Sequence, residues 1–252
     1  MKKMTKFFAL ALLAGAMVSC STEDIAPSTQ NDKVAVQFTG GISVNTRAAG
    51  LAWADGDMIG IFMTGTKQPL SADAIKEGVD NVCYQSNGSI GFSPVSGGKT
   101  IFFPIDGDVD FYSYYPQTTV NDYKVALDVT DQGKQEAIDF MYAKTEGCNK
   151  ATPQVFLKFY HKLSNLILDV QPGNGLTQED LKNMTVTVKG QNTKATFNLV
   201  DGTISGEENP ADITMKTTEA GKLYMILPYF RPMECVFQAR KSRQCEPDSS
   251  LG

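Results

Sequence analysis

The sequence is poor in the residues that do chemistry. It holds one histidine, His161, and one tryptophan, Trp53, in 252 residues. His161 lies in the strongly apolar stretch 156–168, where a lone histidine is expected to be a hydrogen-bonded structural residue rather than a ligand or base. No G-x-S-x-G, H-E-x-x-H or phosphate-cradling glycine loop occurs. The five cysteines are Cys20, Cys83, Cys148, Cys235 and Cys245. Their spacings match no zinc pattern and are too sparse for a disulfide scaffold, which leaves only a Cys83–Cys148 bridge open in an oxidising compartment. A nucleophilic Cys–His pair would need Cys83 or Cys148 beside His161, and nothing in the sequence brings them together. Basic character is missing too: the net charge is −5, and Lys and Arg cluster only in the last residues, which argues against nucleic acid as a partner. Asp106-Gly107-Asp108-Val109-Asp110 opens like a calcium loop, but Phe111 stands where the loop needs Gly and Gln117 where it needs Glu. A turn is expected there, as at Asp55-Gly56-Asp57. The sequence therefore predicts no enzyme, no metal and no cofactor.

Phe7 to Val18 is a long apolar run, too short to span a bilayer as a helix but suited to a signal-peptide core. Lys2, Lys3 and Lys6 precede it, and Ser19 and Cys20 close it. A small residue before Cys at that place is what lipoprotein signal peptidase reads. Residues 1–19 are thus expected to be a lipoprotein signal peptide, with Cys20 carrying the lipid anchor in the outer membrane. Residues 20–32 are polar and lack apolar periodicity, as in a flexible tether. The acidic pair Glu23-Asp24 resembles the surface-export signal of lipoproteins in some anaerobic gram-negative bacteria.

The remainder reads as all-β. From Lys33 to Asn45, apolar Val34, Val36, Phe38, Ile42 and Val44 fall on even positions and mostly polar or small residues on odd ones, which predicts a half-buried strand with a kink or bulge at Gly40-Gly41. Further strands are expected at Met58–Met63, Thr100–Phe103, Asp110–Tyr115, Tyr123–Val129, Met184–Lys189, Lys194–Leu199, Ile213–Thr217 and Lys222–Leu227. Their spacing suggests sandwiches rather than βαβ units. Helix is expected only at Ser71–Glu77 and at Thr177–Met184, where Thr177 is a candidate N-cap with Asp180 at the third helical position. Phe111, Tyr112, Tyr114 and Tyr115 are expected to pack in a core rather than form a sugar-stacking platform. Polar and turn residues near 145–153 suggest a boundary, giving an N-terminal β-sandwich over 33–150 and a partial β-domain over 151–227. Alternation stops at Pro228, so 228–252 reads as an atypical tail, either solvated or produced by a truncating change of reading frame.

The runs Val34-Ala-Val-Gln-Phe-Thr-Gly, Asn45-Thr-Arg-Ala and Trp53-Ala-Asp-Gly-Asp-Met-Ile-Gly-Ile resemble the start of the fimbrillin (Mfa-like) family. Ile101-Phe-Phe-Pro, Val109-Asp-Phe-Tyr-Ser-Tyr-Tyr-Pro, Asp139-Phe-Met-Tyr-Ala and Phe159-Tyr-His-Lys-Leu-Ser resemble its middle. The likeness covers about residues 33–227, and the C-terminus departs from it. The resemblance implies two tandem transthyretin-like β-sandwich domains, the second incomplete here. It also implies export as a lipoprotein and cutting by an Arg-specific protease near the end of the first strand. A donor strand from another fimbrial subunit then refills the groove. On this chain the cut falls at Arg47, before Ala48, and releases the strand bearing Val34, Val36, Phe38, Ile42 and Val44. The expected role is a fimbrial, adhesive structural subunit at the cell surface, with a host or bacterial surface ligand as its target. The alternative is a surface glycan-binding lipoprotein.

Overall fold

The computed structural model describes residues 33–43, 52–228 and 234–238. Cys20, Val44, Arg47, Ala48 and Cys245 lie outside the described residues, as do the expected signal peptide and tether. The described chain is nearly all β. The first strands are β1 (Gln37–Ser43), β2 (Asp55–Gly65), β3 (Val82–Asn87), β4 (Gly91–Pro94) and β5 (Val109–Tyr115). Then come β6 (Lys124–Asp128), β7 (Met141–Cys148), β8 (Gln154–His161) and β9 (Ser164–Asp169). The last are β10 (Thr185–Asn198), β11 (Thr203–Thr214), β12 (Lys216–Glu219), β13 (Lys222–Leu227) and β14 (Cys235–Gln238). A four-residue helix, α1 (Gln135–Ile138), follows a 3₁₀ turn at Gln132–Lys134.

Seven strands close into a barrel in the order β1-β4-β3-β2-β5-β7-β8. The expected N-terminal sandwich is thus one continuous hydrogen-bonded sheet, and closure leaves it no edge. Two further sheets follow: β11-β10-β14, with β6 on β10, and β12-β13-β9. The expected boundary after 150 runs through paired strands: β8 follows it yet closes the barrel, while β6 precedes it yet pairs with β10. β14 lies in the tail where alternation was expected to end, and its Cys235–Gln238 pair with Thr185–Val188 of β10.

Alternation accounts for the packing. On β8, Val155, Leu157 and Phe159 point into the barrel core, while Gln154, Phe156 and Lys158 are exposed. β5 is buried at all seven positions. Phe111 and Tyr115 fill the barrel, and Tyr112 and Tyr114 face a second core shared with Val125, Leu127 and Phe197. Both faces are covered, so no sugar platform forms there, as their core reading expects. A third core joins Val186 and Val188 of β10 to Leu223, Met225 and Leu227 of β13.

Other expectations need correction. Thr100–Phe103 is not a ladder strand; it meets the chain just before β1 through the single Ala35–Phe102 bridge. The two expected helices are 3₁₀ turns, Ala72–Ala74 and Asp180–Asn183. Thr177 and Asp180 do meet, the Thr177 hydroxyl and amide both donating to Asp180 Oδ2 at 2.7 and 2.8 Å. Met184 then turns extended, and its successors gain more as β10 than as helix.

Candidate functional site: the closing strand of the barrel

β1 closes the barrel, and it does so asymmetrically. It runs parallel to β8 in an unbroken register from Gln37↔Gln154 to Ser43↔Tyr160. On its other side the antiparallel ladder to β4 covers only Phe38↔Phe92 and Thr39↔Gly91. Ahead of that ladder, Val36 N donates to Ile101 O at 3.0 Å and Phe103 N to Val34 O at 2.9 Å. All other strand pairs among the described residues are antiparallel. Both strand partners of β1 are therefore distant in sequence.

Of the five apolar residues expected to anchor this strand, Val36 and Phe38 are buried, at 6% and 3% exposure. The Phe38 ring meets Tyr84 and Phe111 edge-on, with centroids 5.3 and 5.1 Å away. Val34, ahead of β1, and Ile42, near its end, are only partly buried, and Val44 lies outside the described residues. At roughly 1.5–3 kcal/mol per fully buried side chain, Val36 and Phe38 supply about 3–6 kcal/mol, so the anchoring is concentrated in the strand's first half. The glycine pair makes no bulge. Gly40 leaves room for the Phe92 ring on the inside, and Gly41 lies beneath Phe156 on the outside.

Trp53 plugs the barrel beside β1. Its indole N–H donates to Gly40 O at 3.1 Å, and its ring meets Phe92, Tyr115 and Phe159 edge-on within 5.4 Å. The Tyr115 hydroxyl lies 3.1 Å from Asp57 Oδ1 and 3.3 Å from Glu136 O. Burial, with Asp57 close by, pushes its pKa above the ordinary range. At the end of β8, His161 Nδ1 lies 2.9 Å from Asp139 Oδ1. That bond raises the histidine's pKa, against the opposing effect of burial.

The thiols do not join this group. Cys83 and Cys148 are both free. Burial raises the Cys83 pKa; burial, with Asp110 and Asp108 nearby, pushes that of Cys148 up to about 11. Neither has the lowered pKa of an activated nucleophile. Among the described residues no cluster of His, Cys, Asp and Glu is suited to hold a metal ion. Sequence reasoning missed the tryptophan plug and the Asp139 partner. The Trp53-Ala-Asp-Gly-Asp run carried a signal for the first, but nothing local pointed to the second.

Residues 46–247 match the family model described as Fimbrillin-like. The chain is 37% identical over 221 residues to a Bacteroides uniformis protein described as "Putative fimbrium subunit Fim1C", covering 83% of this chain and 68% of that one. It also resembles the crystal structure of a "putative cell adhesion protein" from Bacteroides uniformis, with a TM-score of 0.68 and 33% identity over 82% of this chain and 80% of that one. A second such structure, from Bacteroides ovatus, shares the fold with a TM-score of 0.61 at 23% identity, over 83% of this chain and 87% of that one. The family match extends past Leu227 and so takes in β14. An all-β chain with these matches, over most of its length, belongs to the fimbrillin-like family.

Proposed function

We propose that the chain is a structural and adhesive subunit of a bacterial surface fimbrium. On this reading the barrel and the two sheets beside it in the strand order correspond to tandem transthyretin-like domains. Cys20 anchors it to the outer membrane as a lipoprotein, and proteolysis between Arg47 and Ala48 frees β1 so that a strand from another subunit replaces it. The observation that carries this reading is the seating of β1. It is bonded to β8 and β4, both far away in sequence, anchored chiefly by Val36 and Phe38, and followed within a few residues by Arg47. Once cut, such a strand has no covalent tie to the barrel. A free strand of another chain meets the same backbone donors and the same pockets.

The test begins with intact mass and N-terminal sequencing of protein taken from cells, where a start at Ala48 is expected. Limited trypsin treatment should then convert a monomer into oligomers visible by size exclusion and electron microscopy, and Arg47→Ala should stay monomeric. Native protein that keeps the Arg47–Ala48 bond while still building fibres would overturn the processing step.

A further inference from the structure

The seat of β1 is tightest at one residue. Gly40 is buried, and a Cβ there would lie 2.8 Å from Phe92 Cε2 and 3.4 Å from Phe159 Cε2. Phe92 has little room to retreat. It is 7% exposed, its ring packs on Trp53 with centroids 5.1 Å apart, and Trp53 packs in turn on Phe159 at 5.0 Å. The backbone is held at the same point: Gly40 N donates to Ile90 O at 2.7 Å, and Gly40 O accepts from the Trp53 indole at 3.1 Å. β1 cannot back away from the Phe92 ring without giving up those two bonds.

The next residue is different. Gly41 faces outward, where a Cβ would meet Phe156 Cζ at 3.0 Å. Phe156 is 54% exposed, so its ring can swing into solvent and make room. Of two adjacent glycines, the inner one is therefore required by a packed core and the outer one is not.

Trp53, Phe92 and Phe159 all follow Arg47 in the chain, so on the assembly reading they stay with the barrel when β1 leaves. An incoming strand meets them as β1 does. Its backbone carbonyl answers the Trp53 N–H whatever its sequence, so that bond does not select. The Phe92 ring does select, because every residue except glycine carries the Cβ that collides with it. The Phe38 site, enclosed by Tyr84 and Phe111, sets the register by calling for an aromatic ring two residues earlier.

We infer that the vacated seat of β1 is a selective acceptor: it takes a strand of another chain that has glycine at the place of Gly40, two residues after an aromatic anchor, and it tolerates a side chain at the place of Gly41. Phe92, backed by Trp53, is the residue that imposes this choice. The inference rests on the assembly reading and adds to it the chemistry of the strand that fits.

The test uses the full chain nicked after Arg47 and mixed with excess dansyl-labelled peptide of residues 34–45, unchanged or with Gly40→Ala or Gly41→Ala. Trp53 is the chain's one tryptophan, so energy transfer from it to the dansyl group reports entry into this seat. The unchanged and Gly41→Ala peptides should enter with affinities within about threefold of each other, and Gly40→Ala about ten- to a hundredfold more weakly, the effect of overpacking a fixed core. Phe92→Leu in the chain should narrow that gap; if this variant does not fold, the peptide comparison on the parent still decides. Equal entry of the Gly40→Ala peptide, or an equal loss with Gly41→Ala, overturns the selectivity and leaves strand replacement standing. A gap that folded Phe92→Leu leaves unchanged refutes the ring as its cause. Entry by no peptide at all overturns both the selectivity and the strand replacement on which it rests.

Discussion

A β-carbon on Gly40 would lie 2.8 Å from Phe92 Cε2 and 3.3 Å from Leu157 O. Both neighbours are core atoms with little freedom to move, so Gly40→Ala should destabilise the fold by about 1–3 kcal/mol, measured by chemical denaturation. The glycine pair was legible as unusual. Its reason was not, because the ring that fills the space comes from Phe92 on another strand. His161 behaves similarly. Its apolar neighbours marked it as structural, but its partner Asp139 lies 22 residues away in the chain. The pH dependence follows from the sign of its shift. Its folded pKa is raised above the ordinary value of 6.5, so protonated His161 stabilises the fold fully below about pH 6.5. That contribution fades as pH rises through the folded pKa. Thermal unfolding from about pH 5.5 to 8.5 should therefore show a decline that His161→Gln flattens.

Strands with strict alternation, such as β1 and β6, and densely apolar β5 could be read from sequence because each side chain's face is fixed by period two. Which strands pair is a different matter. β6 leaves the barrel for β10 through contacts such as Val125↔Phe197, and no local pattern encodes that choice. β14 was missed because its four residues are too few to show a period. The Trp53 plug was equally hidden, since the rings around it come from Phe92, Tyr115 and Phe159 on three different strands. Two outcomes follow for single elements. Phe38→Ala should cost about 3–5 kcal/mol, as the strand's largest buried anchor is lost. A chain ended at Leu227 loses β14 and leaves Thr185–Val188 of β10 unpaired on that side. It should unfold at lower temperature and self-associate through the bared edge, seen by size exclusion. An unchanged monomer with unchanged stability would show that β14 contributes nothing.

For the molecule as a whole, the first expectation concerns the anchor. Cys20→Ser should release the protein from the membrane fraction and abolish labelling by a fatty-acid probe; continued membrane fractionation would refute lipidation at Cys20. The second concerns time. Gln37 and Gln154, which open the β1–β8 register and share a 3.2 Å side-chain hydrogen bond, lie 117 positions apart. Closing so long a loop costs entropy before any contact repays it, and such distant pairings slow folding. The segment made first must wait until β8 has emerged before its parallel partner exists. Phe38→Ala should then accelerate unfolding while leaving the refolding rate almost untouched, a φ-value near zero. A strand that docks last in folding is also the one whose seat stands open longest on the newly made chain, so the order of synthesis itself offers that seat to any other strand within reach.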